Sequence, residues 1–256
     1  MKVGQVSVFI IIGIIIIAIS ASVFYLKNNS SQEKIESAQN SAELNNKAQS
    51  LNLAMQDCIL AQGETSIRLF GMLGGKDYLE KDFLNESDLY SNYVYRHGEV
   101  DNYSIENVNR RLANILSVTL PSCMPFENTS GKTTYQGAEV SLGNLTVTAN
   151  LQENKTIFKV DMPIKLILNN AEKELGEFAP VTYDVNLKKF SVFMDDFSNH
   201  LKNNPGIVDI YYLLLQNYSY DVAYTENNTY LFSIVDNESI INKKPVFYLF
   251  AAEVDK

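Results

Sequence analysis

Few side chains in this sequence suit catalysis. There are two cysteines, Cys58 and Cys123, and two histidines, His97 and His200. A structural zinc site needs four such ligands, and these four would have to come from four distant places in the chain. His97 lies in Arg96-His97-Gly98-Glu99-Val100, a polar stretch where a histidine is ordinarily just solvated. His200 falls near a predicted helix end, where a cation favours the helix dipole. Asp195 and Asp196 are adjacent on the same predicted helix, so they do not face each other as an acid and base pair. Gly71 to Asp77, GMLGGKD, superficially suggests a phosphate loop. The P-loop needs GxxxxGK, then Ser or Thr, after a strand. Here the spacing is one short, Asp77 replaces the hydroxyl and a helical pattern precedes, so the segment reads as a helix cap. Gly63-Glu64-Thr65-Ser66-Ile67 lacks the last glycine of a nucleophile elbow. The residues therefore predict no enzyme, no metal and no cofactor.

Charge removes another class. The net charge is −9, and nucleic acid requires a basic face. The charge is also unevenly placed. Residues 1–27 carry only Lys2 and Lys27, so all the acidic side chains lie beyond them. The two cysteines then suggest different chemistry. Each follows an amphipathic helical pattern, so the helices can lie side by side and Cys58 can bridge to Cys123. The alternative is two separate buried thiols. An oxidising compartment favours the bridge.

A modification signal points to the same compartment. N-x-S/T occurs at Asn28, Asn29, Asn85, Asn102, Asn128, Asn144, Asn154, Asn217, Asn227 and Asn237, ten sites. With 27 Asn and 32 Ser and Thr in the chain, random pairing gives about three. A glycosylated surface domain accounts for the excess, and Asn-rich turns are the bland alternative.

The elements that would carry these residues begin with an apolar run. Val6 to Leu26 holds no charge, and at 1.5 Å per residue it is about 31 Å long, the thickness of a bilayer's hydrocarbon. The expectation is a transmembrane helix, with Phe24 and Tyr25 at the far interface. A cleaved secretory signal fits less well, because no A-x-A-like site ends the run. Ala18 and Ser22 give a small-xxx-small spacing suited to helix association.

Met1-Lys2-Val3-Gly4-Gln5-Val6-Ser7 followed by this run resembles the archaeal class III signal peptide of type IV pilins. The resemblance covers about 25 residues. Gln5 and Ser7 match the family's Q-x-S start, whereas the fifth mature position, usually Glu, is Phe9 here. By resemblance a membrane peptidase cuts between Gly4 and Gln5, and the apolar helix stays on the mature protein as anchor or filament core. The resemblance thus implies a pilin-like, membrane-anchored surface protein of archaeal type.

Beyond the run, residues 28–50 are polar, with Ile35, Ala38 and Ala42 as a thin helical stripe. Leu44, Ala48, Leu51, Met55 and Cys58 then recur at helical spacing until Gly74-Gly75, with Gly63 as a place for a kink. Ser104 caps a second helix lined by Val108, Leu112, Ile115 and Leu116 and stopped by Pro121. Alternation over 145–151, 158–168 and 181–187 predicts an antiparallel meander, with Pro163 at an edge or bulge. Phe190, Phe193, Met194, Phe197 and Leu201 predict a helix that covers a sheet, and Ile207 to Leu215 reads as helix or strand. Strands over 220–224, 230–235 and 246–251 finish the chain.

The predicted fold class is α+β: an N-terminal transmembrane helix continuing into a helical stalk, then an antiparallel sheet domain with packed helices. The predicted parts are a 1–27 anchor, a 28–50 polar stalk, a 51–125 two-helix unit and a 126–256 α+β sheet domain. The expected function is a single-pass membrane-anchored extracytoplasmic surface protein, pilin-like, with a structural or adhesive role. The expected partners are the membrane, further copies of the chain, or a surface protein or glycan. The alternative is a monomeric tethered receptor or ligand-binding ectodomain with a concave apolar pocket.

Overall fold

The computed structural model describes residues 3–254 apart from 87–88, 130, 170, 209–211, 214, 216–217 and 226–227. In the first helix the side chains described are Ala18, Ser20, Ser22 and those from Ala38 onward. The helices are α1 (Val3–Met72), α2 (Ile105–Thr119) and α3 (Leu187–Asn203), with a 3-10 turn at Leu120–Cys123. The first strands are β1 (Leu84–Glu86), β2 (Leu89–Ser91), β3 (Tyr93–Arg96), β4 (Glu99–Val100), β5 (Glu127–Thr129), β6 (Lys132–Tyr135) and β7 (Ala138–Leu142). They are followed by β8 (Thr146–Leu151), β9 (Thr156–Leu168), β10 (Ala171–Glu177), β11 (Val181–Tyr183), β12 (Ser219–Tyr224), β13 (Thr229–Ile241) and β14 (Lys244–Glu253). The content is α+β, with sheets and three helices among the described residues.

The expected transmembrane helix is corrected here. Among the described residues no helix is long and apolar enough to cross a membrane. The described stretch of α1 carries Glu43, Lys47, Asp57, Glu64 and Arg68, and Leu44, Ala48, Leu51, Met55, Ile59, Ile67 and Phe70 form its buried face, with Leu53 and Leu60 exposed. That is the pattern of a helix lying on a protein core, not in lipid. The run Val6 to Leu26 that prompted the expectation lies outside the described side chains, apart from Ala18, Ser20 and Ser22.

Two compact units divide the chain. The first takes α1 up to Ser50, Glu127–Ser141 and Lys165–Glu174. Its buried apolar residues are Leu44 and Ala48 of α1 and Tyr135, Ala138, Val140 and Leu166 of the strands. Gln136 and Gly137 both have positive φ, 48° and 81°, which makes the two-residue turn between β6 and β7. That turn meets α1: the Lys47 ammonium donates to the Gln136 carbonyl, and Ser50 Oγ lies 2.9 Å from the Tyr135 hydroxyl.

The second unit holds Leu51–Phe126, Leu142–Ile164 and Leu175–Lys256. Within it β9 alternates buried and exposed residues, and both β8 and β11 pair antiparallel with it. Pro163 is tolerated in this strand because it falls beyond the β8 pairing, where its carbonyl accepts from the Gly143 amide at 2.7 Å. The Leu151 amide of β8 donates to Asn109 Oδ1 of α2 at 3.0 Å. A five-stranded sheet runs β12-β13-β14-β3-β4. Its β14–β3 pair is parallel, so Tyr93–Arg96 joins Lys244–Glu253 and the sheet domain is not antiparallel throughout, whereas the strands predicted over 145–187 do pair antiparallel.

α3 covers the β12–β14 face with aromatic rings. Phe190 stacks on Tyr248 at 3.6 Å between centroids, Phe197 meets Phe232 and Phe250 at 5.3 and 5.7 Å, and Phe193 meets Tyr218 at 5.4 Å. Each such ring removes enough apolar area from water to contribute about 2–3 kcal/mol. Asn186 caps the helix by accepting from the Lys189 amide at 3.0 Å.

α1 passes Gly63 without a break. Gly63 is needed for closeness: a Cβ there would lie 2.5 Å from the Tyr183 hydroxyl oxygen, which itself donates to the Leu60 carbonyl. The helix ends at Gly74 (φ 67°) and Gly75 (φ 80°), with the Gly75 amide returning to the Phe70 carbonyl at 2.7 Å. Asn92 is fully buried and holds the segment that follows. Its Nδ2 donates to the Leu73 and Tyr78 carbonyls at 2.8 and 2.9 Å, and its Oδ1 accepts from the Glu80 amide at 2.8 Å. The variant Asn92→Leu keeps the volume and strands all three backbone groups. It is expected to lose about 3–5 kcal/mol of stability in urea titration, against well under 1 kcal/mol if solvent could replace those bonds.

Candidate functional site

The richest side-chain cluster forms where α1 ends. Tyr103, fully buried, donates its hydroxyl to the Gly74 carbonyl at 2.7 Å. Arg111 of α2 reaches the Gly75 carbonyl with Nη1 at 3.1 Å, and its Nη2 lies 2.8 Å from both oxygens of Asp101. Lys76, 5% exposed, pairs with Glu80 at 2.7 Å and reaches Asp101 at 3.7 Å. Around it opens a cavity of about 430 Å³ whose walls include Lys76, Glu80, Asp82, Arg96, Glu99 and Asp101. At its rim Arg96 Nε pairs with Glu253 at 2.9 Å, and His97 Nδ1 lies 3.7 Å from the same carboxylate.

These charges partner one another. Lys76, Arg96 and Arg111 each face a carboxylate, so none of the three is left as a free cation, while Asp82 and Glu99 add further carboxylates to the walls. Among the described residues its walls carry no cysteine or serine. Among the described residues no three His, Cys, Asp or Glu side chains gather to hold a metal ion. What the arrangement does chemically is neutralise buried charge beside a helix end.

A second cavity, about 450 Å³, is lined by Asp57, Leu60, Glu64, Tyr183, Asp184 and Ile240. Glu64 there is engaged by Arg68 at 2.9 Å and by the Asn242 amide. A third, about 400 Å³, opens beside Asn154, Lys188, Lys189 and Phe193.

The residues singled out from sequence fall as follows. Cys58 of α1 and Cys123 of the 3-10 turn lie at disulfide distance, with Cα atoms 5.6 Å apart. Asn85, Asn102, Asn128, Asn144, Asn154 and Asn237 are all exposed. Asn28 and Asn29 have no described side chain, and Asn217 and Asn227 lie outside the described residues, as does Gly4-Gln5 as a pair of side chains. Gly71 to Asp77 is the end of α1 and the turn after it, with Gly71 close against the Phe247 carbonyl, so it cradles protein backbone and not phosphate. His200 sits in the last turn of α3 and stacks on Tyr212 at 5.4 Å. Asp195 and Asp196 remain neighbours on α3. The sequence reading did not find the Lys76–Asp101–Arg111 network. The one available signal was Asp101 just ahead of a helix bearing an inward arginine, and periodicity assigns such an arginine to no face in advance.

Comparison of the chain with protein-family models, with curated proteins and with solved structures finds no match.

Two outcomes follow from this geometry. A bridge between residues 65 apart restricts the unfolded chain by about 4 kcal/mol. Cys58→Ser with Cys123→Ser should lower stability by roughly that amount in denaturant titration, and an unchanged midpoint would mean the thiols are not joined in solution. The tyrosines set an alkaline limit. Burial pushes Tyr103 and Tyr248 well above the usual 10.0, with nearby carboxylates adding to it, and burial also raises Tyr183 and Tyr218. Below pH 10 both states keep these protons; above it the unfolded chain releases them while the fold retains them. Stability should therefore fall as pH rises past 10.0, and tyrosinate absorbance should appear for these rings only with unfolding.

Proposed function

We propose that the chain is a pilin-like extracytoplasmic surface protein with a structural or adhesive role. The observation that supports this most is α1. It takes 70 residues, against a mean helix of about 12, and stands at the amino terminus. Its residues from Leu44 onward supply the buried face for the strands, while Ala38, Gln39, Ser41 and Ala42 are exposed. A helix whose residues from Leu44 to Met72 are packed by strands, and whose start matches the Q-x-S pattern at Gln5 and Ser7, suits a subunit that is presented or assembled through its amino-terminal end.

Three further observations support the reading. Six sequon asparagines are exposed. Cys58 and Cys123 are placed to join in an oxidising compartment. The cleft beside the end of α1 holds Lys76 and Arg96 in ion pairs with Glu80 and Glu253, a use of those side chains that is structural.

Mass spectrometry of the protein from its native cells tests the proposal. The expected mature chain begins at Gln5, carries glycan on one or more of Asn85, Asn102, Asn128, Asn144, Asn154 and Asn237, and has Cys58 joined to Cys123. A chain that keeps Met1, with bare sequons and free thiols, would overturn it.

A further inference from the structure

Beneath the amino-terminal end of α3, three buried polar atoms have no protein hydrogen-bond partner: Asp236 Oδ2, the Tyr218 hydroxyl and the Tyr248 hydroxyl. Asp236 and Tyr248 are fully buried and Tyr218 is 9% exposed. Strand register puts them together. Ser219 pairs with Val235, so Tyr218 stands opposite Asp236. Ile234 pairs with Tyr248 and Asp236 with Val246, so Tyr248 is the diagonal neighbour of Asp236 on the same face. The face is the one covered by Phe190 and Phe193. The ionisation of Tyr248 is opposed by both Tyr218 and Asp236, which agrees with their closeness.

The surroundings leave these atoms to each other. Asp236 Oδ1 is taken by the Glu238 amide at 3.1 Å, at the bulge between Asp236 and Ile240. The Lys189 ammonium lies over the Tyr218 ring at 4.7 Å and pairs with Glu238 at 2.8 Å. Ser239 Oγ accepts from the Asn186 amide. A buried carboxylate oxygen with no donor is costly, and two phenols beside it can each both donate and accept. Three oxygens suit a water molecule, which typically makes about three such bonds when buried. They are too few for calcium, which takes at least six oxygens.

We propose that Asp236 Oδ2, Tyr218 OH and Tyr248 OH together bind one structural water that ties β12, β13 and β14 beneath α3. The water donates to Asp236 and completes the hydroxyls of both tyrosines. The site is part of the fold, independent of what the surface binds.

The test is a double-mutant cycle on the full chain with Tyr218→Phe and Tyr248→Phe, folding checked by circular dichroism. Each hydroxyl removed should lower the folding constant about tenfold, and the pair should fall well short of the hundredfold of independent sites. Magnetic relaxation dispersion of water should count one fewer long-lived internal water in either variant. Phe variants as stable as the parent or more so would overturn the proposal, because they would show hydroxyls that gain nothing where they lie. Strictly additive losses, or an unchanged count of long-lived waters, would overturn it too, the latter assigning the coupling to direct tyrosine–carboxylate bonds.

Discussion

The second compact unit depends on how the end of α1 is received. A helix leaves its last carbonyls without amide partners, and here that end is buried. The amides of Leu73, Gly75 and Gly74 fold back onto the carbonyls of Leu69, Phe70 and Gly71, and the next three carbonyls, in the turn that follows, are met by three separate segments. Asn92, between β2 and β3, takes Leu73; Tyr103, ahead of α2, takes Gly74; Arg111, within α2, takes Gly75. Each bond contributes about 1 kcal/mol net, yet each carbonyl left alone would cost about 1–3 kcal/mol. The asymmetry makes the three segments mutually obligatory. Gly75 completes the arrangement, since a Cβ there would lie 2.7 Å from the Tyr103 ring and its φ is that of a left-handed residue.

Charge follows from that constraint. Arg111 cannot be buried beside Gly75 without a counter-ion, and Asp101 supplies two oxygens at 2.8 Å. Lys76 then enters the same space and is balanced by Glu80. The cleft is therefore a by-product of anchoring a helix end. Fifteen residues after Asn92's partner Tyr78 the chain enters β3, whose parallel pairing with β14 brings Glu253 to Arg96. Local capping and long-range sheet pairing meet in one set of ion pairs.

Much of the helical frame was legible in the sequence. The spacing from Leu44 to Cys58, the cap at Ser104, the stop at Gly74-Gly75 and the stripe from Phe190 to Leu201 are local signals, and each element forms where its period lies. The alternation of β9 was legible for the same reason. The parallel β3–β14 pair was not, because it joins segments about 150 residues apart and periodicity carries no information on partners. β6 and β7 were missed because Lys132–Tyr135 is nearly all polar, and its turn is Gln136-Gly137 instead of the expected Asn-Gly or Asp-Gly. The transmembrane reading weighed the uncharged run, its flanking aromatics and the resemblance of its start, whereas the described stretch of α1 is governed by the strands it supports. Asn92 was invisible for a different reason: a buried asparagine is spelled the same as a solvated one, and only the bonds it makes distinguish it.

Buried polar groups thus fall into two kinds in this molecule. At the end of α1 the carbonyls of Leu73, Gly74 and Gly75 and the Arg111 guanidinium are each answered by another protein group. Under α3 they are not, and Asp236, Tyr218 and Tyr248 keep unused bonding capacity against a wall of phenylalanines. The difference has a geometric origin. The junction joins two connecting segments, at Asn92 and Tyr103, to a long arginine reaching out from α2, so each donor has freedom to meet its acceptor. The triad is built on paired strands, where register fixes the side chains before their hydrogen bonds are made. A bulge at Asp236 relieves one carboxylate oxygen and no more. Whatever completes the set must be small and bond in several directions, and so come from solvent and not from the chain.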